Sequence, residues 1–98
     1  MYVITVEFVI RAPHAAAFQA AVMENAARSL EWEPACRHFD VCTSLGDGPT
    51  AARTVFLYEL YDDRAGFEAH LDADHFKAFD AHVAPWVERK IVRGWQLA

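Results

Sequence analysis

The sequence predicts an α+β fold with the element order β-α-β-β-α-β. Three observations carry that prediction. Short runs rich in β-branched and aromatic residues occur at Tyr2–Ile10, Cys36–Ser44, Arg53–Tyr61 and Lys90–Leu97. Helix-patterned stretches separate the first run from the second and the third from the fourth. The one obvious loop of glycines and proline, Leu45–Ala52 (LGDGPTAA), falls between the second and third runs, where a hairpin needs it.

The first strand, YVITVEFVI, is followed by Arg11-Ala12-Pro13, with Pro13 suited to a first helical turn. From about Pro13 to Glu31 the chain is alanine-rich and helical, and Phe18, Ala21, Val22, Ala26 and Leu30 form an apolar stripe. Glu24 and Arg28 have the i,i+4 spacing of an ion pair on its outer side. The chain turns at Pro34 into strand two, and strand three follows the loop. Asp62 or Asp63 is placed to cap a second helical region, which runs to about Val83 with a break near Asp72–Asp74, and Pro85 ends it. Lys90–Leu97 supplies the last strand. This order is the ferredoxin-like pattern, a four-stranded antiparallel sheet with the helices on one face. At 98 residues a single domain over residues 1–98 is expected.

Both faces of strands one and three are substantially apolar. Tyr2, Ile4, Val6, Phe8 and Ile10 share one face of strand one, while Val3 and Val9 lie on the other with Thr5 and Glu7. Helices on one side cover only half of such a sheet. An uncovered apolar sheet face marks an interface, so a homodimer packed sheet to sheet is expected.

The formal charge of −5 speaks against a nucleic-acid partner, which needs a basic patch. No apolar run reaches the roughly 18 residues of a membrane span, and the N-terminus reads as a strand and not as a signal peptide, so a cytoplasmic location is expected. Cys36 and Cys42 share one predicted strand, roughly 20 Å apart at about 3.3 Å per residue, too far for a disulfide. Neither has a partner at zinc-finger spacing.

Several polar residues interrupt apolar patterns. Asn25 and Ser29 lie on the core-facing stripe of the first helix, where their polar groups need partners. His38 and Asp40 stand at i,i+2 on strand two, on one face with Cys36 and Cys42, a spacing that lets an acid and an imidazole be oriented together. Three of the five histidines, His70, His75 and His82, crowd the second helical region. On an unbroken helix His70 and His75 would sit about 140° apart, so they share a site only if the helix breaks between them, which Asp72-Ala73-Asp74 permits. His75, Phe79 and His82 share a face. No HExxH motif and no carboxylate at an established ligand spacing points to a metal, so none is expected. No nucleophile elbow and no phosphate-binding glycine loop is present.

The segment YELYDDRAGFEAHLDADHFKAF resembles the signature of the antibiotic biosynthesis monooxygenase family: a strand ending in Tyr-Glu, an acidic cap, a Phe, then a His and a second His before Phe. Upstream, ENAARSLEWEPACRHFDV is similar to that family's Asn, Glu-Pro turn and Phe-Asp-Val strand. The resemblance covers nearly the whole chain. It implies a dimeric α+β barrel of ferredoxin-like subunits, with an apolar pocket between sheet and helices. One branch of the family resembles oxygenases that work without a cofactor on phenolic substrates. A second is similar to an isomerase of a phosphorylated signalling sugar, and a third degrades haem with an Asn on strand one. Here strand one offers only Thr5 and Glu7 as polar residues, which sets the haem branch aside. The segment before the second His also departs from the family, reading LDADHF where a Thr or Ser and a Pro are usual.

The resemblance implies a small phenolic or enolic (quinol-like) substrate, no bound cofactor, His70 or His75 as the base and Asn25 as donor to the developing oxyanion. Trp32, Tyr58, Phe67, Phe76 and Phe79 are candidate pocket walls, with His38 and Asp40 as further substrate contacts. The alternatives are the isomerase chemistry and a non-catalytic dimer that binds a small molecule.

Overall fold

The computed structural model describes residues 1–98. Strands β1 (Tyr2–Ile10), β2 (Cys36–Thr43), β3 (Thr54–Tyr61) and β4 (Val87–Gln96) join helices α1 (Ala15–Trp32), α2 (Arg64–Asp72) and α3 (Asp74–Val83). The strands form one antiparallel sheet in the order β2-β3-β1-β4, and all three helices lie on one face of it. This is the ferredoxin-like α+β fold that the sequence predicts. No helix is long and apolar enough to cross a membrane.

Pleating sorts the side chains. Ile4, Val6, Phe8 and Ile10 of β1 face the helices with Val55, Leu57 and Tyr61 of β3, and α1 lays Phe18, Val22 and Ala26 over them. Each such side chain contributes about 1.5–3 kcal/mol by leaving water. Val3, Thr5 and Val9 point to the opposite, uncovered face with Phe56, Tyr58 and Leu60. Asp63 caps α2, its carboxylate accepting from Gly66 N–H at 2.9 Å.

Four local readings need correction. Strand β4 begins at Val87, ahead of the predicted Lys90, because Ile10 pairs with Val87 across a register shift and Arg11 N–H donates to the Trp86 carbonyl. Its polar Glu88-Arg89-Lys90 opening hides an edge strand. Leu30 lies off the buried stripe and is 47% exposed. Arg28 pairs with Glu31 at 2.7 Å and not with Glu24, and its guanidinium stacks over Trp32. In β2 a register shift between Cys36 and His38 turns Cys36 onto the core face with Phe39, leaving His38, Asp40 and Cys42 on the other. Both cysteines are free.

Candidate functional site

The helix-side core is closed by hydrocarbon at one end and by polar groups at the other. Glu33 follows the last turn of α1, extended in backbone, with its N–H donating to the Ser29 carbonyl. Ala73, also extended, ends α2 and starts α3. That break brings His70, in the last turn of α2, and His75, in the first turn of α3, to ring centroids 6.2 Å apart. Both rings meet Glu33. His70 Nδ1 lies 2.9 Å from Glu33 Oε2, and His75 Nε2 lies 2.5 Å from the same oxygen. Ser29 Oγ stands 3.4 Å from His70 Nδ1 and 3.3 Å from His75 Nε2. The side chains of His70, His75 and Glu33 are 2%, 12% and 10% exposed, so these contacts are made largely out of water.

Beneath His70, β3 presents Glu59 and Tyr61. The Tyr61 hydroxyl donates to Glu59 Oε1 at 2.7 Å, and that oxygen lies 3.9 Å from His70 Nε2. The two carboxyls are driven apart in acidity. Burial pushes Glu33 upward, but the His70 hydrogen bond and charge, with the Ser29 and His75 bonds, outweigh it and hold Glu33 below the usual carboxylate range. Burial dominates at Glu59 and pushes it up against the opposing Tyr61 bond and His70 charge. Burial, then the charges of Glu33 and Glu59, raises the Cys36 thiol to about 12, which makes it an inert core group.

A groove of about 750 Å³ opens between α1 and α3. Ala17 and Ala21 lie along it with Trp32 and Phe79, while Asn25 and His75 supply polar groups. Asn25 is 4% exposed, and its Oδ1 is buried with no hydrogen-bond partner. An unpaired buried amide oxygen is costly, and here it belongs to a residue that lines an open groove. A smaller cavity of about 300 Å³ on the other side of Trp32 and His75 reaches Glu33 and Gly66.

The structure gathers Asn25, Trp32, His75 and Phe79 at the groove. It places His70 behind His75, enclosed by Phe76 at 4.7 Å, Phe39 at 5.8 Å and Tyr61 at 5.6 Å between ring centroids. Phe67 and Phe76 pack on the His70 ring and do not line the groove. Tyr58 and Asp40 are cross-strand partners on the uncovered sheet face, and His38 shares it opposite Leu60. The pleat and the β2 register shift put the sheet itself between these three and the groove, so the fold does not bring them together with Asn25 and His75. His82 sits further along the groove, against Trp86 at 4.7 Å.

Sequence reasoning missed Glu33, Glu59 and Tyr61 as members of the site. Glu59 had a local signal, an acid on the same strand face as Val55 and Leu57. Glu33 had none, because its partners lie 37 and 42 positions away. No established ligand spacing in the sequence pointed to Glu33, yet in the fold Glu33, His70 and His75 offer three ligand atoms within 4.8 Å of one another.

Fold and site define a class: a small ferredoxin-like α+β protein with a buried imidazole–carboxylate cluster beside an apolar groove. Within it, the chain belongs to the antibiotic biosynthesis monooxygenase family, whose family model matches residues 1–82. A candidate antibiotic biosynthesis monooxygenase from Nitrosomonas europaea is similar at 28% identity and a TM-score of 0.89, covering 99% of this chain and 98% of that one. Proteins from Mycobacterium tuberculosis (19% identity, TM-score 0.87, 99% and 94% coverage) and Pseudomonas aeruginosa (19%, 0.85, 99% and 94%) share the fold. No curated protein matches the chain.

Proposed function

We propose that this chain is a monooxygenase-type oxidoreductase for a small phenolic or enolic molecule, bound in the α1–α3 groove and oxidised without a bound redox group. The observation that carries this reading is the convergence of His75 and Asn25 on an apolar groove, with His75 gripped from behind by Glu33. The substrate supplies the electrons. A base removes a phenolic or enolic proton, and the resulting carbanion reduces O₂ and bonds to it. Loss of water from the peroxide then leaves a quinone, one oxygen atom going to each product.

His75 is the base, since it alone of the Glu33 pair borders the groove. Ionised Glu33 accepts from both imidazoles and fixes the His75 ring, with its carboxylate charge beside the ring as the substrate proton arrives. His70 positions Glu33. The Asn25 amide donates to the developing oxyanion, and Trp32 and Phe79 wall the aromatic ring.

The isomerase alternative uses the same base but needs a cation for the phosphate. Arg37, Arg53 and Lys77 are bound to Asp62, Glu88 and Asp72 and lie outside the groove, and the one guanidinium that lines it, Arg28, is held by Glu31 at 2.7 Å and stacked over Trp32, which favours oxidation. We further propose a single-domain subunit, residues 1–98, that forms a homodimer by covering the open sheet face. The two free cysteines fit a reducing cytoplasm.

The test is oxygen uptake with quinols, anthrone-like phenols and enediols. His75→Ala is expected to lower the rate by about 10²–10⁴ on any compound the protein oxidises. Full activity in that variant removes His75 as base. Turnover of an enediol with no oxygen uptake selects the isomerase.

A further inference from the structure

We propose that Glu33, His70 and His75 form a binding site for one divalent transition-metal ion of the zinc type, and that an ion held there takes His75 out of service as a base. The binding goes beyond the oxidation reading and does not depend on it.

Two imidazole nitrogens and one carboxylate are a donor set for zinc, cobalt or nickel and a poor one for magnesium or calcium. The three ligand atoms already lie within 4.8 Å of one another, with Glu33 Oε2 at 2.9 Å from His70 Nδ1 and 2.5 Å from His75 Nε2. A tetrahedral zinc with bonds of about 2.0–2.1 Å holds its donors roughly 3.3 Å apart. The trio therefore opens by a fraction of an ångström on the Glu33 side, while the two ring nitrogens, which lie no more than 4.8 Å apart, close toward the same spacing by small side-chain rotations. Ser29 Oγ, 3.4 and 3.3 Å from the two nitrogens, is placed to bond a water in the fourth position.

The surroundings suit the ion as well. A ligating histidine needs its other ring nitrogen turned to an acceptor, which fixes tautomer and ring. His70 Nε2 faces Glu59 Oε1 at 3.9 Å, and Tyr61 anchors that same oxygen. Binding requires no net loss of protons from neutral rings: each N–H moves to the other nitrogen, on His70 to the side where Glu59 stands. Access is open, because Glu33 and His75 both line the smaller cavity. Ligation at Nε2 puts the His75 ring proton on Nδ1 and takes up the Glu33 oxygen that otherwise orients the ring, so the loaded protein has no free base at the groove.

The experiment uses chelator-stripped protein and needs no substrate. Zn²⁺ is titrated by calorimetry and Co²⁺ by visible absorption. One equivalent with micromolar or tighter affinity, and the intense visible bands of four-coordinate Co²⁺, are expected. Because loss of an outer-shell partner alone weakens sites by about 10–100-fold, His75→Ala is expected to lose at least about 100-fold and Glu59→Leu, which removes the acceptor altogether, about 10–100-fold. Exposed His82→Ala keeps full affinity. Glu33→Gln, close in shape, repeats the ligand test should His75→Ala fold poorly. Absence of saturable binding in the natural protein overturns the site, and so does equal affinity in a folded ligand variant. Oxygen uptake is measured separately, so failure of the oxidation reading leaves this result standing.

Discussion

The two faces of the sheet are built from alternate residues of the same strands, yet they solve different problems. On the helix face, Ile4, Phe8, Ile10, Leu57 and Tyr61 are buried by the chain's own helices. That cover is dry enough to hold Glu33, His70 and Ser29 as a bonded group, with Glu59 bonded to Tyr61 beside them. On the other face Phe56 remains 38% exposed and Trp95 52%, the Trp95 indole N–H donating to Thr5 Oγ1. The two inner strands partly escape the difference, with Val3 and Val9 of β1 at 4% and 8% exposure and Leu60 of β3 at 7%, because each has a strand on both sides. A face that its own chain closes can house charge. The face left open carries apolar side chains that a second copy would bury.

The largest way to break this contrast is on the closed face. Phe18 is fully buried between Phe8 and Phe79, so Phe18→Ala is expected to cost about 3–5 kcal/mol in denaturant unfolding. A loss below about 1 kcal/mol would mean that α1 does not seat as described.

Much of this contrast was legible in the sequence, since it rests on short-range periodicity. The two-residue period of β1 and β3 gave both faces, the Asp72-Ala73-Asp74 break gave the convergence of His70 and His75, and Asp63 was available as a cap. Long-range pairing was not legible. Glu33 acquires its partners only when α1 and the α2–α3 corner come together, and no local pattern in Glu-Trp-Glu-Pro announces it. A single register shift was equally invisible, and it moved Cys36 to the core while leaving His38 and Asp40 across the sheet from the groove. Aromatic residues at helical spacing did not separate groove wall from core: Phe79 borders the groove, while Phe67 and Phe76 pack on His70.

On the open face the corresponding test is Phe56→Ser. Within a subunit its effect on unfolding is expected to stay near 0.5 kcal/mol, as for other surface changes. In a dimer that buries this face, an aromatic anchor is worth about 2 kcal/mol or more, so sedimentation equilibrium should show a roughly 30-fold or greater rise in the dissociation constant. A natural protein that sediments as a single subunit at micromolar concentration removes the dimer and leaves the open face unexplained.

Gly66 sharpens the closed face at its rim. A Cβ at this position would lie 2.6 Å from Ala35 Cβ, where the first turn of α2 crosses the chain ahead of β2. Gly66→Ala is expected to cost about 1–3 kcal/mol despite alanine's better helix propensity, because the Ala35 Cβ it meets is fixed to the backbone and has no rotamer by which to swing aside. A neutral or stabilising result in thermal unfolding would show that this corner gives way freely.

The mildest test exchanges one atom, in Glu59→Gln, and it asks whether the closed face tolerates its second acid or merely suffers it. Burial raises Glu59 above its ordinary value of 4.5, so the folded protein prefers it protonated. Below the ordinary value both folded and unfolded chains hold that proton, and no penalty exists. As pH rises past it, the unfolded chain ionises first, and stability falls until the folded-state value is passed. Glutamine removes that penalty and keeps an oxygen for the Tyr61 hydroxyl. Glu59→Gln is therefore expected to melt higher than the natural protein at pH 7, with the gain vanishing below about pH 4.5. Glu33, held low by its histidine partners, has the opposite sign: its contribution is present above the ordinary carboxylate value and is lost as pH falls through the lower folded one. Melting curves from pH 3 to 8 separate the two acids. A variant that melts lower at pH 7 would show that ionised Glu59 is stabilised in place by His70, and the closed face would then hold two paired acids instead of one paired and one suppressed.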